Sequence, residues 1–545
     1  MMLKIKENRE IICIFVASGI IGVIIFLLSY DLRVLDVTND SWLMHGGDIT
    51  QHYLGWRFYR NSPWQLKFGL IEGILYPHRI SIIYTDSIPI FAVFFKLLSP
   101  ILPENFQYFG IWGLFSFFMT GGIASIIIKK FTNNKYVCII GSIFFSYSPY
   151  IFQRMYGHTA LAGQWIILLA IAIWVNRSYF NSLKRQLIAW IVVLCTGELV
   201  HIYFVPMIII IMCGFYLHEF LETKQIKNAF IVGISSVVSA LFLLFLFGAF
   251  ETTGGMVEEG LGIYSANLNA LWNPINREYS QIMPLWTVRD GQGEGFGYLG
   301  FGILCLVVIS LIIWLGLKIR KKQWIDHNKI NFSVALTAVM AAFLILALSP
   351  SITFNDKILF TIPYPRIIYS ALSIFRASGR FIWPVGYLIM FLVIRYICKI
   401  KRDTIIIAIL CIAVLVQVSD IIVMPKGNWI KTTGEYNSLL ISDKWEDLTK
   451  KYKHIVFVSY EDIREDLPLL YSFAYYASEN NMTINYFYTA RVNENLIRKH
   501  TEGYLEDIRN NTVEDDIIFV FFIEPIVDTG ELNMMELDGI TIGVK

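Results

Sequence analysis

Twenty consecutive uncharged residues from Ile11 to Tyr30, IICIFVASGIIGVIIFLLSY, set the first constraint on this chain. A helix rising 1.5 Å per residue needs about 20 apolar residues to cross the hydrocarbon of a bilayer, and this run supplies them. The preceding MMLKIKENRE resembles the basic start of a secretory signal, but no small-residue cleavage site follows, so the run reads as a retained first span. Apolar stretches recur near 106–128, 136–152, 159–175, 183–198, 200–218, 229–250, 297–317, 331–350, 380–397 and 404–424. Only 16% of the residues are charged, against roughly 25% in soluble domains, and 55% are hydrophobic. The pattern predicts a polytopic α-helical membrane protein embedded in a lipid bilayer.

The charge between the runs orients them. Lys129, Lys130 and Lys135, then Arg177, Lys184 and Arg185, then Lys224 and Lys227, belong on the cytoplasmic side with the basic N-terminus, as do Lys318, Arg320, Lys321 and Lys322 and finally Lys399, Lys401 and Arg402. Parity then requires that 88–102, with Lys96 inside it and Pro89 and Pro100 near its ends, lie at the interface without crossing, and that 183–218 cross twice, turning at GELVH. The result is about 11 spans, in the cell membrane, with the N-terminus cytoplasmic. The loops 31–105, 251–296 and 351–378 and the tail from 425 all fall outside. In the tail, HIVFVSY (454–460), TINYFYT (483–489) and DIIFVFF (516–522) read as strands separated by helical patterns near 466–480 and 493–510. That order predicts parallel βαβ units, and so a transmembrane domain over 1–424 followed by a small extracytoplasmic α/β domain over 425–545.

Several functions are excluded at this level. A net charge of +2 without a clustered basic face gives nucleic acid no footprint. The seven cysteines are scattered through apolar segments with no CxxC pair, and read as small core residues. HExxH, nucleophile-elbow and P-loop patterns are absent. The formal GxGxxG at Gly295, Gly297 and Gly300 lacks a preceding strand, so its glycines read as sites of close backbone packing, with Glu294 the chemically interesting neighbour.

Chemistry-bearing residues concentrate at the ends of spans. In GGDITQHYLGWRFYR (46–60), Asp48 and Gln51 fit a capping-box-like helix start, and helical spacing places Asp48 and His52 on one face. Arg57 and Arg60 suit either interfacial anchoring beside Trp56, Tyr59 and Trp64 or a bidentate grip on phosphate. Arg154 and His158, Glu198 and His201, and Arg376 and Arg380 in RASGRFIWP stand at outer ends of spans, where burial of an ionisable group is costly and often functional.

The stretches HGGDITQHYLGWRFYRNSPW (45–64), YTDSIPI (84–90), GHTALAGQW (157–165), HIYF (201–204), GIYSANLNALWNP (262–274), GEGFGYLG (293–300) and ASGRFIWP (377–384) resemble the GT-C superfamily of integral-membrane glycosyltransferases. Within it the chain is most similar to an uncharacterised bacterial multispanning group allied to the YfhO-like family, over residues 1 to about 424. The resemblance implies transfer of a sugar from a polyprenyl-phosphate carrier to a cell-envelope glycan on the outer face. Asp48 matches the first-loop acid, with His52 beside it. Arg57, Arg60, Arg154, His158, His201, Glu294, Arg376 and Arg380 are the candidates for holding the donor phosphate and substrate. The acidic pair common in the superfamily is missing, since position 47 is Gly, which leaves open a divalent metal ion, for which Asp48 and Asp86 are the candidate ligands. A lipid-linked oligosaccharide flippase or transporter and a glycan polymerase are the competing readings. A transporter places its ionisable residues near mid-membrane on broken helices, whereas here they gather at span ends and in a long first loop.

The side on which the tail lies is testable in intact cells. With the native cysteines replaced, Leu440→Cys should react with a membrane-impermeant maleimide without lysis. Labelling only after lysis would reverse the assigned side of the tail.

Overall fold

The structure is a computed structural model that describes residues 2–251, 260–320, 327–489, 493–522 and 530–545. Lys321 and Lys322, and residues 252–259 of the expected loop 251–296, lie outside the described residues. The chain forms two compact units, each assembled from separated segments. The first comprises Met1–Leu32, Phe109–Ala240 and Val257–Thr432; the second comprises Arg33–Tyr108, Leu241–Met256 and Thr433–Lys545.

The chain is a multi-pass membrane protein. Among the described residues, seven helices are long and apolar enough to cross a bilayer: Asn8–Ser29, Phe109–Lys129, Phe204–Thr223, Lys227–Leu246, Ile330–Leu348, Ser378–Ile397 and Asp403–Ile421. The other expected spans are shorter or more polar. Lys135–Ser146, Thr159–Val175 and Phe301–Leu317 are apolar helices of at most 17 residues. The helix Leu183–Val200 carries Lys184, Arg185 and Glu198, and is separated from Phe204–Thr223 by a tight turn at the expected position.

The last span anchors the loop that precedes Phe301–Arg320. Asp420 is buried, and its carboxylate accepts from the Tyr298 hydroxyl at 2.6 Å, from the Phe301 N–H at 2.9 Å and from the Ser280 hydroxyl. One turn earlier Gln417 donates to the Leu299 carbonyl at 3.1 Å and accepts from the Ile303 N–H at 3.2 Å. With the Ile282 N–H at 3.3 Å as a fourth donor, this carboxylate satisfies the rule that buried charge must be bonded, and it fixes the course of residues 280–303.

In the second unit the first loop folds as the helix Gly47–Asn61, the hairpin Leu70–Leu75 with His78–Ser81, and the short helix Pro89–Leu97. At 9 residues that last helix rises only about 13 Å, too little to cross a bilayer. Its Lys96 is buried, with Nζ donating to the Tyr59 carbonyl at 2.6 Å and lying 4.1 and 4.8 Å from the Tyr59 and Trp64 ring centres. Burial pushes this ammonium down to about 8.

The tail folds around a five-stranded sheet with the order Thr483–Ile484, His454–Phe457, Ile517–Phe521, Ile540–Val544, Asn533–Leu537. The first three strands are parallel, as the alternating pattern predicts, and the helix Leu467–Glu479 covers them by packing Phe473 on Phe457. The final two strands form an antiparallel hairpin that the sequence reading missed. Its signal is present: Asp538 and Gly539 both adopt positive φ, 52° and 77°, as a tight Asp-Gly hairpin turn requires. The tail sheet also meets the first loop within this unit, where the Tyr76 N–H donates to the Ile484 carbonyl at 2.8 Å and the Tyr76 ring stacks on His454 at 4.1 Å.

Gly55 lets the helix Gly47–Asn61 lie directly on the turn at 85–87. A Cβ there would stand 2.5 Å from the Thr85 Cβ and 2.7 Å from the Ser87 Oγ. Gly55→Val should therefore lower stability by about 1–3 kcal/mol through overpacking, read as a drop in thermal unfolding temperature of the purified protein. An unchanged unfolding temperature would show that the turn yields freely.

Candidate functional site

The helical unit gathers charges that are far apart in sequence. The Glu294 carboxylate receives Arg380 Nε at 2.8 Å and Arg154 at 3.1 and 3.3 Å, while His158 Nε2 lies 3.7 Å away. Arg154 also donates to the Glu294 backbone carbonyl at 3.2 Å. Both arginines are buried, and each rests on an aromatic face: Arg154 lies 5.2 Å from the Trp383 ring centre and Arg380 lies 4.5 Å from that of Tyr203. Burial opposes the charge on Glu294, but the two guanidiniums and the hydrogen bond from His158 outweigh it and hold this carboxyl well below the usual range. Arg154 Nε is buried and has no acceptor among the described residues.

Close backbone approach makes this assembly possible. A Cβ on Gly379 would stand 2.5 Å from the Gly295 Cα, and one on Gly295 would stand 2.5 Å from the Ala266 Cα. The Gly379 N–H donates to the Tyr264 carbonyl at 2.9 Å, and the Trp383 indole donates to the Phe296 carbonyl at 3.0 Å. Of the glycines in 293–300, Gly295 serves close backbone packing and so brings Glu294 onto Arg380, whereas Gly297 and Gly300 make room for the side chains of Ile382 and Gln417 and Gly293 has open space beside it. His201 is buried at the end of Leu183–Val200 and accepts from the Tyr203 N–H at 3.2 Å, which steadies the turn carrying Tyr203. Tyr203 in turn receives the Ala377 N–H on its hydroxyl at 2.9 Å. Arg376 lies 5.8 Å from the Tyr264 ring centre. The aromatic partners Tyr203, Tyr264 and Trp383 were not singled out from the sequence, although each lies inside a quoted stretch.

The second unit holds the remaining candidates. The expected capping role of Asp48 is not what the structure shows. Gly46 is the N-cap, Asp48 is the second residue of the helix, and the start is closed by Thr50, whose hydroxyl accepts from the Gly46 N–H and donates to the Leu43 carbonyl, both at 2.8 Å. Gly46 and Gly47 take φ of 88° and 69°, a left-handed path that side chains rarely follow, and this displaces the helix start by two residues. Asp48 is half-buried, in the first turn, where the helix dipole favours negative charge. Beside the glycines lies a cavity of about 450 Å³ lined by His45, Tyr436, Tyr471 and Ser472. The Tyr471 hydroxyl donates to the Gly47 carbonyl at 3.2 Å, and burial together with the charge of Asp48 pushes its ionisation well up.

His52 follows one turn later and is fully buried, with its carbonyl accepting from the Ser87 hydroxyl at 2.7 Å. Asp86 is half-buried at a φ of 52°, and Ile88 two residues on has φ 53°, which is strained for a β-branched residue. Arg57 donates to the Tyr53 hydroxyl at 3.3 Å, lies 5.3 Å from the Tyr475 ring centre, and approaches Glu479 at 4.0 Å. Both tyrosine hydroxyls donate to Asp40, at 2.7 and 3.0 Å. Arg60 donates to the carbonyls of Pro103 and Glu104 at 2.6 and 2.7 Å, so it ties down the end of the first loop. Among the described residues no group of three or more His, Cys, Asp or Glu side chains is arranged to hold a metal ion.

Fold and site together define a multi-pass membrane protein with a buried arginine pair held by one carboxylate. The chain belongs to the family DUF6311, described as a domain of unknown function, which matches residues 19–422, and the DUF6311 C-terminal domain matches residues 444–545. No curated protein matches the chain. Among solved structures it is similar to the crystal structure of the Archaeoglobus fulgidus oligosaccharyltransferase in the apo form, with 9% identity and a TM-score of 0.47 over 87% of this chain. The chain spans 64% of the length of that protein.

Removing the charge of Glu294 leaves two buried guanidiniums without their shared partner. Glu294→Gln should destabilise the protein by about 3 kcal/mol, the usual effect of breaking a buried pair. Because the folded-state ionisation of Glu294 is depressed, its contribution is present above the unfolded carboxyl value of about 4.3 and is lost only as pH falls through the lower folded value. Thermal unfolding of wild type and variant should therefore differ at pH 7 and at pH 5 and converge in stronger acid. Equal unfolding temperatures at pH 7 would show that the cluster does not stabilise the fold.

Proposed function

We propose that this protein is a GT-C-type glycosyltransferase, allied to the YfhO-like group, that moves a sugar from a polyprenyl-phosphate carrier to a cell-envelope glycan. The observation that carries the reading is the Arg154–Glu294–Arg380 cluster: two buried guanidiniums share one carboxylate, and a buried Arg154 N–H is left over for a further acceptor. A net positive cluster of oriented donors is suited to a phosphate that gains charge as the glycosyl bond breaks. Glu294 and the Trp383 and Tyr203 rings keep the arginines oriented, so little reorganisation accompanies the reaction.

On the acceptor side the reading assigns Asp48. The acceptor oxygen forms a bond to the anomeric carbon, the bond from that carbon to the phosphate oxygen breaks, and the acceptor proton passes to the Asp48 carboxylate while the phosphate keeps the bonding electrons. Asp48 suits this role because it is half-buried and Thr50, not Asp48, closes the helix start.

Sugar transfer from a panel of radiolabelled polyprenyl-phosphate sugars to envelope acceptors, using purified protein in liposomes, tests the assignment. Asp48→Asn and Asp48→Ala should both insert and fold, with up to about 1 kcal/mol lost at the helix start, and should lower transfer about 10²- to 10⁴-fold. Arg380→Lys keeps the charge but loses the planar fork, and should reduce transfer less than Arg380→Gln does. Wild-type rates in Asp48→Asn would remove the carboxylate from the mechanism, and no transfer by wild type from any donor would overturn the enzyme reading.

A further inference from the structure

A second cationic cavity lies in the helical unit, among side chains that the proposed reaction does not use. It measures about 510 Å³, and Lys130, Arg177, Arg395 and Lys399 line it. Lys130 follows the helix Phe109–Lys129, Arg177 follows Trp165–Val175, and Arg395 stands in the last turn of Ile382–Ile397. The cavity thus sits where several helices end together, at the basic-loop end of the bundle. Part of the charge is neutralised internally: Glu222 pairs with Arg177 and lies 3.0 Å from His218 Nε2, with Glu219 nearby. Arg395 is different. Its guanidinium lies between two rings, 5.8 Å from the centre of Phe131 and 5.5 Å from that of Phe332, and no carboxylate pairs with it among the described residues. Two aromatic faces orient a guanidinium without cancelling its charge, which leaves its N–H groups for an anion.

We infer that this cavity binds the phosphate of an anionic membrane lipid, with Arg395 as the central contact and Lys130 and Lys399 completing the charge. The lipid source follows from position. The walls are the ends of apolar helices that lead into the basic loop residues, so the cavity opens at headgroup depth. Basic pockets between helix ends on the side bearing the basic loops are suited to anionic headgroups. The inference is independent of the sugar-transfer reading, because no residue of the Glu294 cluster contributes to it.

The test is native mass spectrometry of the full-length protein released from nanodiscs containing phosphatidylglycerol and phosphatidylcholine. Wild type should retain phosphatidylglycerol in preference to phosphatidylcholine, and Arg395→Gln should lose most of that preference. Lys399→Gln, at an exposed position where folding is not at stake, should weaken retention about five-fold, the effect expected for one cation near a lipid surface. Excess inorganic phosphate should displace little of the bound lipid. Equal retention of the two lipids, retention unchanged in both variants, or full displacement by inorganic phosphate would each overturn the assignment.

Discussion

The Glu294 carboxylate, set between Arg154 and Arg380, is the interaction on which the helical unit's site depends. Two guanidiniums buried this close repel one another and lose their hydration, and only an ionised partner with good hydrogen-bond geometry offsets both effects. The surrounding elements supply that geometry. Asp420 and Gln417 fix the loop that carries Glu294, Gly295 and Gly379 allow two backbones to touch, and the Trp383 and Tyr203 rings lie against the cations. Each of these features looks local when read alone. Together they place one carboxylate against two arginines from well-separated parts of the sequence.

The second unit depends on an equally specific arrangement at the start of the helix Gly47–Asn61. Gly46 and Gly47 take a left-handed path, Thr50 closes the helix start, and Asp48 is left in the first turn beside the cavity at Tyr471. Farther along the same helix, Arg57 is enclosed by Tyr53, Tyr475 and Glu479, and Arg60 by backbone carbonyls. Of the two arginines that suited either interfacial anchoring or a phosphate, Arg57 lies between the first loop and the tail, and Arg60 bonds within the first loop. Charge alone does not distinguish a ligand-binding arginine from a structural one, because the same fork of N–H groups serves a phosphate and a carbonyl equally well.

Hydrophobic periodicity carries different information in different parts of the chain. The long apolar helices were legible because length and hydropathy are local properties, and the short 88–102 stretch read as non-crossing for the same reason. The parallel strands His454–Phe457 and Ile517–Phe521 were visible as β-rich runs. The closing hairpin was not, although the Asp-Gly pair at its turn is a strong short-range signal, because Asn533–Leu537 contains Met and Glu where strand-forming residues usually stand. Within the glycine-rich run at 291–302, Gly295 packs backbone to backbone as expected, but its partner Gly379 lies more than 80 residues away in sequence, and Gly293 packs against nothing.

By itself the sequence determines that the chain enters a bilayer, roughly where its long apolar helices lie, and that its tail is α/β. These follow from solvation free energies and local propensities, which each segment carries within itself. Only the tertiary structure decides which charges meet. Glu294 reaches Arg154 and Arg380 while Arg57 and Arg60 turn inward, and Thr50 closes a helix that Asp48 had seemed to cap. The reason is that an ion pair or a close glycine contact is a property of two surfaces brought together, and its strength depends on distance, burial and geometry that no single segment encodes.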